Sequence, residues 1–186
     1  MSRQEVVVKD NFLPQEQFAE IENLMMGSEL PWYYNPTIDF YDDDIHNSFQ
    51  FTHIFYIAWM PQSNYFDNLR RVLNKLKVFS VQRIKANLIT RTDKQIVNQF
   101  HVDEESLSSK ELSRFTTGIF YINTNNGYTE FKDGTKVESV ANRMVTFPSN
   151  IEHRGTSCTD KKTRVLINFN YIQKWVSTDF IGYFQH

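Results

Sequence analysis

The run Arg164-Val165-Leu166-Ile167-Asn168-Phe169-Asn170-Tyr171 alternates along its length. Val165, Ile167 and Phe169 fall on one side of an extended chain, and Arg164, Leu166, Asn168 and Asn170 on the other. Arg164 therefore opposes the Val165 face and is placed to point inward if the strand lines a barrel. A guanidinium buried there needs an anionic partner, and a carboxylate answers it bidentately.

Outward from this strand, residues 163–172 close a series of short strand patterns that begins after residue 78. The others are 81–90, 97–103, 115–123, 127–131, 136–140 and 143–148. Turn signals part them at Asn125-Asn126-Gly127, Asp133-Gly134 and Pro148-Ser149-Asn150. The N-terminal third reads differently. Residues 14–26 set Phe18, Ile21, Leu24 and Met25 at helical spacing, with Pro14 in the first turn and Gly27 as a stop. Residues 63–77 repeat the pattern through Phe66, Leu69, Val72, Leu73 and Leu76, with Ser63 as N-cap. A polar, turn-rich stretch and a strand-like run from Phe49 to Trp59 lie between these helices.

The expected fold class is mainly β in an α+β order: a β-sandwich or barrel, jelly roll and cupin-like barrel included, with the N-terminal helices packed outside. No repeat or linker divides the chain, so residues 1–186 are expected to be one domain. Within it, 1–79 form a helical and lid region, 80–172 the barrel core and 173–186 a C-terminal extension.

Composition narrows the function classes. The 186 residues can bury a core without disulfide or metal staples, and 16 Phe, 9 Tyr and 3 Trp make that core or a cleft aromatic. A net charge of -2 gives no global pull on nucleic acid. The single cysteine, Cys158, excludes an intramolecular disulfide and fits a reducing compartment. No apolar stretch approaches a membrane span and the N-terminus is no signal peptide, so a cytoplasmic location without membrane contact is expected.

Chemistry concentrates at His101, Asp103, His153 and Arg164. His101-Val102-Asp103 closes the strand-like run from Ile96, and a spacing of two sends imidazole and carboxylate to the same face. A second imidazole, His153, follows the Pro148 turn in Ile151-Glu152-His153-Arg154-Gly155. If the strands are neighbours, the three make the two-histidine, one-carboxylate facial triad of non-haem Fe(II) oxygenases, with half an octahedron open. The remaining candidates have blander readings. His53 sits in a core-flanking strand, His46 and His186 are solvated, and Asp42-Asp43-Asp44 is an acidic turn without calcium-loop spacing. Trp32, Tyr33, Tyr34 and the loop to Asn47 form either a substrate lid or a plug on the helices. Cys158, in a turn between strands, shows no sign of redox function.

Four segments carry a resemblance: Phe100-His101-Val102-Asp103, Thr117 to Asn123, Asn126-Gly127-Tyr128-Thr129-Glu130-Phe131, and Glu152-His153-Arg154-Gly155 with Arg164. Together, over about residues 80–172, they resemble the 2-oxoglutarate- and Fe(II)-dependent oxygenases. The prolyl-hydroxylase-like branch is most similar, including the hypoxia-factor prolyl hydroxylases, and small cyanophage-encoded oxygenases look alike. The resemblance implies a double-stranded β-helix in which His101, Asp103 and His153 bind iron. Arg164 and Tyr121 would hold the distal carboxylate of 2-oxoglutarate, with Asn87 standing where that branch has a tyrosine near the other carboxylate. It further implies Fe(II), 2-oxoglutarate and O2, with ascorbate as an accessory reductant. The implied reaction is hydroxylation of a C–H bond, with succinate and CO2 released.

A protein or peptide substrate, prolyl first, is the leading expectation, on a protein that is plausibly a monomer. A free amino acid or small metabolite is the rival. Nucleic acid is disfavoured, because the AlkB-type demethylases carry a second arginine where this chain has Asn170. A non-catalytic jelly-roll module is the alternative from another class, and it has no need of an open triad.

Overall fold

The computed structural model describes residues 5–38, 49–104 and 106–173. The chain runs through β1 (Val7–Lys9), α1 (Gln15–Met26), β2 (Tyr33–Asn35), β3 (Gln50–Ile57) and β4 (Met60–Pro61). A 3-10 turn, Phe66–Leu69, leads into α2 (Arg70–Lys75) and the long β5 (Val78–Thr90). Then come α3 (Ser109–Leu112), β6 (Thr116–Tyr121), β7 (Tyr128–Phe131), β8 (Lys136–Glu138), β9 (Arg143–Pro148), β10 (His153–Gly155) and β11 (Thr163–Gln173). The main sheet has the order β1-β9-β6-β11-β5-β3-β2, with β4 folded back on β3, and a smaller sheet has the order β10-β7-β8. Every pairing is antiparallel. This is a mainly β jelly roll with helices on its outside, as expected.

The alternation in β11 divides the interior. Val165, Ile167, Phe169 and Tyr171 join a core that also takes Phe18, Ile21, Leu24 and Met25 of α1, Leu69 and Val72. Residues of β5 and β6 on that same face, Ile84, Ala86 and Phe120, complete it. Leu166, on the other face of β11, packs in a second cluster with Ile119, Tyr121, Val145, Phe147, Phe131 and Val137, between the two sheets. The outer cluster thus fastens the helices to the sheet. The inner one fills part of the barrel and leaves the rest to polar side chains.

Several elements depart from the sequence pattern. Residues 97–103 form no strand; only two isolated bridges remain, Val97 to Thr156 and His101 to His153. The register slips by one residue between those bridges, and the partner β10 is three residues long, so a ladder cannot propagate. The expected helix 63–77 begins as the 3-10 turn, with Ser63 Oγ accepting from Tyr65 N–H at 3.1 Å, and its α-helical part spans only Arg70–Lys75. The run to Trp59 ends at Ile57, since Ala58 and Trp59 turn the chain at φ 52° and 65°. Neither residue is one that usually adopts that conformation, so the turn gave no sequence signal. The exposed three-residue strands β1 and β2 were also beyond pattern reading. The short α3 did carry one: Ser108 and Glu111 form a capping box.

Phe120 is the joint between helix layer and sheet, with ring centroids 5.7 Å from Phe12 and 5.8 Å from Phe18, both edge-on. Phe120→Ala is expected to cost about 3–5 kcal/mol of unfolding free energy, measured by urea titration. A loss below about 1 kcal/mol would show that the helices contribute little to the stability of the sheet.

Candidate metal centre and its cavity

His101, Asp103 and His153 converge, with one ligand atom of each within 4.8 Å of the others. The two histidines sit directly opposite each other in the isolated bridge, each backbone N–H donating to the other's carbonyl at 3.0 Å. Their ring centroids are 5.0 Å apart. His101 Nδ1 lies 3.2 Å from Gln99 O and His153 Nδ1 lies 3.3 Å from Ile151 O. An N–H at His153 Nδ1 donating to its carbonyl orients that ring so that Nε2 can serve as a ligand atom. Phe147 stands edge-on to the His153 ring at 4.9 Å and Phe131 lies at 6.3 Å. Burial in this aromatic wall pulls the His153 pKa below the ordinary histidine value.

Asp103 is buried too. Burial alone would raise its pKa, but His153, Arg83, a hydrogen bond from Asn170, and His101 together hold it well below the usual carboxylate range. The group is therefore an anion ready to accept a cation. Two imidazole nitrogens and one carboxylate at this spacing suit a divalent transition metal.

A cavity opens beside the three residues. Its walls include Lys85, Asn87 and Ile89 of β5, Arg164, Leu166 and Asn168 of β11, Gln50 of β3, and Asn98 and Thr129. These are the inward positions of the alternating strands, as the Arg164–Tyr171 pattern required. Asn87 and Asn168 are 7% and 8% exposed, and each has a buried Oδ1 with no hydrogen-bond partner. Orphaned carboxamides in a polar cavity point to a missing occupant.

Arg164 closes the far end. It is 2% exposed, and its Nε donates to Ser139 Oγ at 2.8 Å while Nη2 donates to Thr129 Oγ1 at 3.3 Å. Its guanidinium also lies 5.7 Å from the centre of the Tyr121 ring. Among the described residues no carboxylate pairs with it, and burial lowers its pKa from the ordinary arginine value. Tyr121 is fully buried and its hydroxyl donates to Thr129 Oγ1 at 2.7 Å, so it braces the threonine that faces Arg164. Two glycines make room for the arginine. A Cβ on Gly127 would stand 2.6 Å from Arg164 Cδ, and one on Gly155 would stand 3.4 Å from Nη1.

The blander readings hold where they can be seen. His53 bonds Pro31 O and Ser63 Oγ, each at 2.8 Å, as a structural histidine. Cys158 is buried, with Sγ 3.5 Å from Lys161 O. Of the expected lid, Trp32 packs against the outer core, whereas Tyr33 and Tyr34 of β2 are each 63% exposed. Residues 39–48, with His46 and Asp42-Asp43-Asp44, and His186 lie outside the described residues. Asn168, Lys85 and Gln50 were missed as cavity residues. Inward alternation was the available signal for the first.

The chain covers nearly the whole of several solved structures. A Pseudomonas putida prolyl-4-hydroxylase superposes with a TM-score of 0.56 at 15% identity, over 93% of this chain and 95% of that one. The 2-oxoglutarate complex of the viral collagen prolyl hydroxylase from Paramecium Bursaria Chlorella virus-1 gives 0.55 at 13% identity, over 91% and 96%. The fold is that of the 2-oxoglutarate- and Fe(II)-dependent oxygenases. The same fold extends to SnoN, the non-haem α-ketoglutarate-dependent epimerase of nogalamycin biosynthesis, with a TM-score of 0.61 at 11% identity over 92% of this chain and 79% of SnoN. No protein-family profile matches the sequence, and no curated protein matches it.

Arg164 is buried against neutral groups, so it weakens the empty protein. Arg164→Met, which keeps volume and removes the charge, is expected to stabilise it by about 1–3 kcal/mol in thermal or urea unfolding. A destabilised variant would mean that the hydroxyls already satisfy the cation.

Proposed function

We propose that the chain is an Fe(II)- and 2-oxoglutarate-dependent dioxygenase that hydroxylates an unactivated C–H bond, on a prolyl residue of a protein or peptide. The observation that carries this reading is the pairing of two incomplete sites in one cavity. At one end lie two imidazoles and an ionised carboxylate; at the other lies a buried arginine with no carboxylate beside it among the described residues. A metal ion completes the first and a dicarboxylate completes the second. His101, Asp103 and His153 fit ferrous iron by donor type and convergence. When bound, the iron supplies dioxygen activation coupled to decarboxylation of 2-oxoglutarate to succinate and CO2.

The remaining work falls to this chain's own side chains. Arg164 takes the distal carboxylate, held in place by Ser139 and Thr129, and Tyr121 steadies Thr129. The carboxamides of Asn87 and Asn168 offer hydrogen bonds along the path between arginine and metal centre. Ile89, Ile119 and Leu166 line the same cavity, displace water and strengthen each charged contact there.

Two observations support a peptide substrate. The solved prolyl hydroxylases are covered almost end to end, at 95% and 96% of their lengths. Next to the cavity, Gln50 donates to the carbonyls of Thr37 and Ile38 just beyond β2, whose Tyr33 and Tyr34 are exposed. An exposed aromatic strand at the end of the sheet suits an extended ligand. The fold shared with SnoN supports the second reading, a small-molecule substrate.

Anaerobic binding of Fe(II) and 2-oxoglutarate, followed by succinate release with proline-containing peptides, tests the proposal. His101→Ala and Asp103→Ala are expected to abolish metal binding, and Arg164→Ala to weaken 2-oxoglutarate by about thirtyfold or more. Peptides with alanine in place of proline should give no +16 mass product. Unchanged metal affinity in both triad variants would remove the iron assignment. Equal turnover of proline and alanine peptides would remove the prolyl one.

A further inference from the structure

Asp103 lies two residues past the bridge that fixes His101 and belongs to no strand. No backbone ladder sets the direction of its carboxylate. A row of side chains does so instead. Strand register places Arg83 of β5, Asn170 of β11 and Thr117 of β6 opposite one another, one from each of three adjacent strands. All three reach the same carboxylate. Asn170 Nδ2 donates to Asp103 Oδ2 at 2.8 Å, Thr117 Oγ1 lies 3.5 Å from that oxygen, and Arg83 Nη2 lies 3.4 Å from Oδ1. The row is tied internally as well: Arg83 Nε donates to Asn170 Oδ1 at 3.3 Å, and Asn170 Nδ2 to Thr117 Oγ1 at 3.1 Å. Ser149 Oγ, 2.8 Å from Thr117 Oγ1, anchors its end.

The two principal members act on the carboxylate in different ways. The Asn170 contact is short and neutral, so its effect is directional. The Arg83 contact is long for a hydrogen bond, so its orienting effect is small while its unit charge is undiminished. Two neutral imidazoles and Asp103 carry one negative charge, and Arg83 cancels it. Lys85 and Arg164 line the same cavity, so a divalent cation there meets more formal positive than negative charge, and Arg83 is in contact with the carboxylate itself.

We infer that Asn170 and Arg83 are positioning residues with opposite effects on the metal centre: Asn170 aims Asp103 at the two histidines, and Arg83 opposes a cation at that carboxylate. The inference rests on the reading of His101, Asp103 and His153 as metal ligands.

Mn(II) and Co(II), titrated calorimetrically in the absence of 2-oxoglutarate, provide the test. Asn170→Ala is expected to weaken Co(II) about tenfold and to alter its visible d–d absorption; should that variant not fold, Asn170→Ser is expected to show a smaller shift in the same direction. Arg83→Met is expected to tighten both metals about fivefold. Arg83→Lys, which keeps the charge, should stay within about twofold of the wild type. If Asn170→Ala and Arg83→Met shift the metal affinity in the same direction, or either leaves it unchanged, the inference is wrong. If the wild-type protein binds no metal, or His101→Ala binds it equally well, the metal reading itself falls and takes this inference with it.

Discussion

A guanidinium that is 2% exposed, hydrogen-bonded to two hydroxyls and close to an aromatic ring sets the terms for one half of the barrel. Arg164 needs space, so Gly127 and Gly155 bring backbone close where any side chain would collide or crowd. It needs hydrogen-bond partners, so Ser139 and Thr129 face inward from neighbouring segments. Thr129 in turn engages the Tyr121 hydroxyl, which burial keeps protonated by raising its pKa. The arrangement is a polar island inside the aromatic packing of Phe131, Phe147 and Tyr121. An anion is the partner that this cation lacks among the described residues.

The metal end follows a different logic. There Asp103 is set against Arg83, and a hydrogen-bonded row runs across three strands beneath it. The two ends are joined by β11, whose inward positions run from Arg164 through Leu166 and Asn168 to Asn170. One strand thus carries a buried cation at its start and a hydrogen-bond donor to the Asp103 carboxylate near its end. The outward residues of the same strand, Val165, Ile167, Phe169 and Tyr171, fix its position against the helices. Site precision here depends on core packing.

Much of this was legible because alternation is a strong signal on a strand with two unlike faces. The inward cation follows from reading period two; His101 and Asp103 were paired on a strand that does not form, and His153 was singled out by its place after the Pro148 turn. What escaped was conformational. Residues 97–103 alternate like a strand but lose their register against a three-residue partner, which no local pattern reveals. Ala58 and Trp59 turn the chain without glycine or asparagine. Arg83 and Asn170 are 87 residues apart, and only strand register makes them neighbours. Asn170 was noticed in the sequence for the arginine it is not, and its contact with Asp103 appears only in three dimensions.

The reciprocal bridge between His101 and His153 has a further consequence. Both imidazoles hang from a single rung of backbone, with one loop and one edge strand on either side of it. The small sheet cannot peel away from the loop without separating the two ligands. Fraying of β10 and separation of the two imidazoles are thus one event, and an ion bound between the rings would act as a clasp on the margin of the barrel. The ion would then contribute to the stability of the fold as well as to its chemistry.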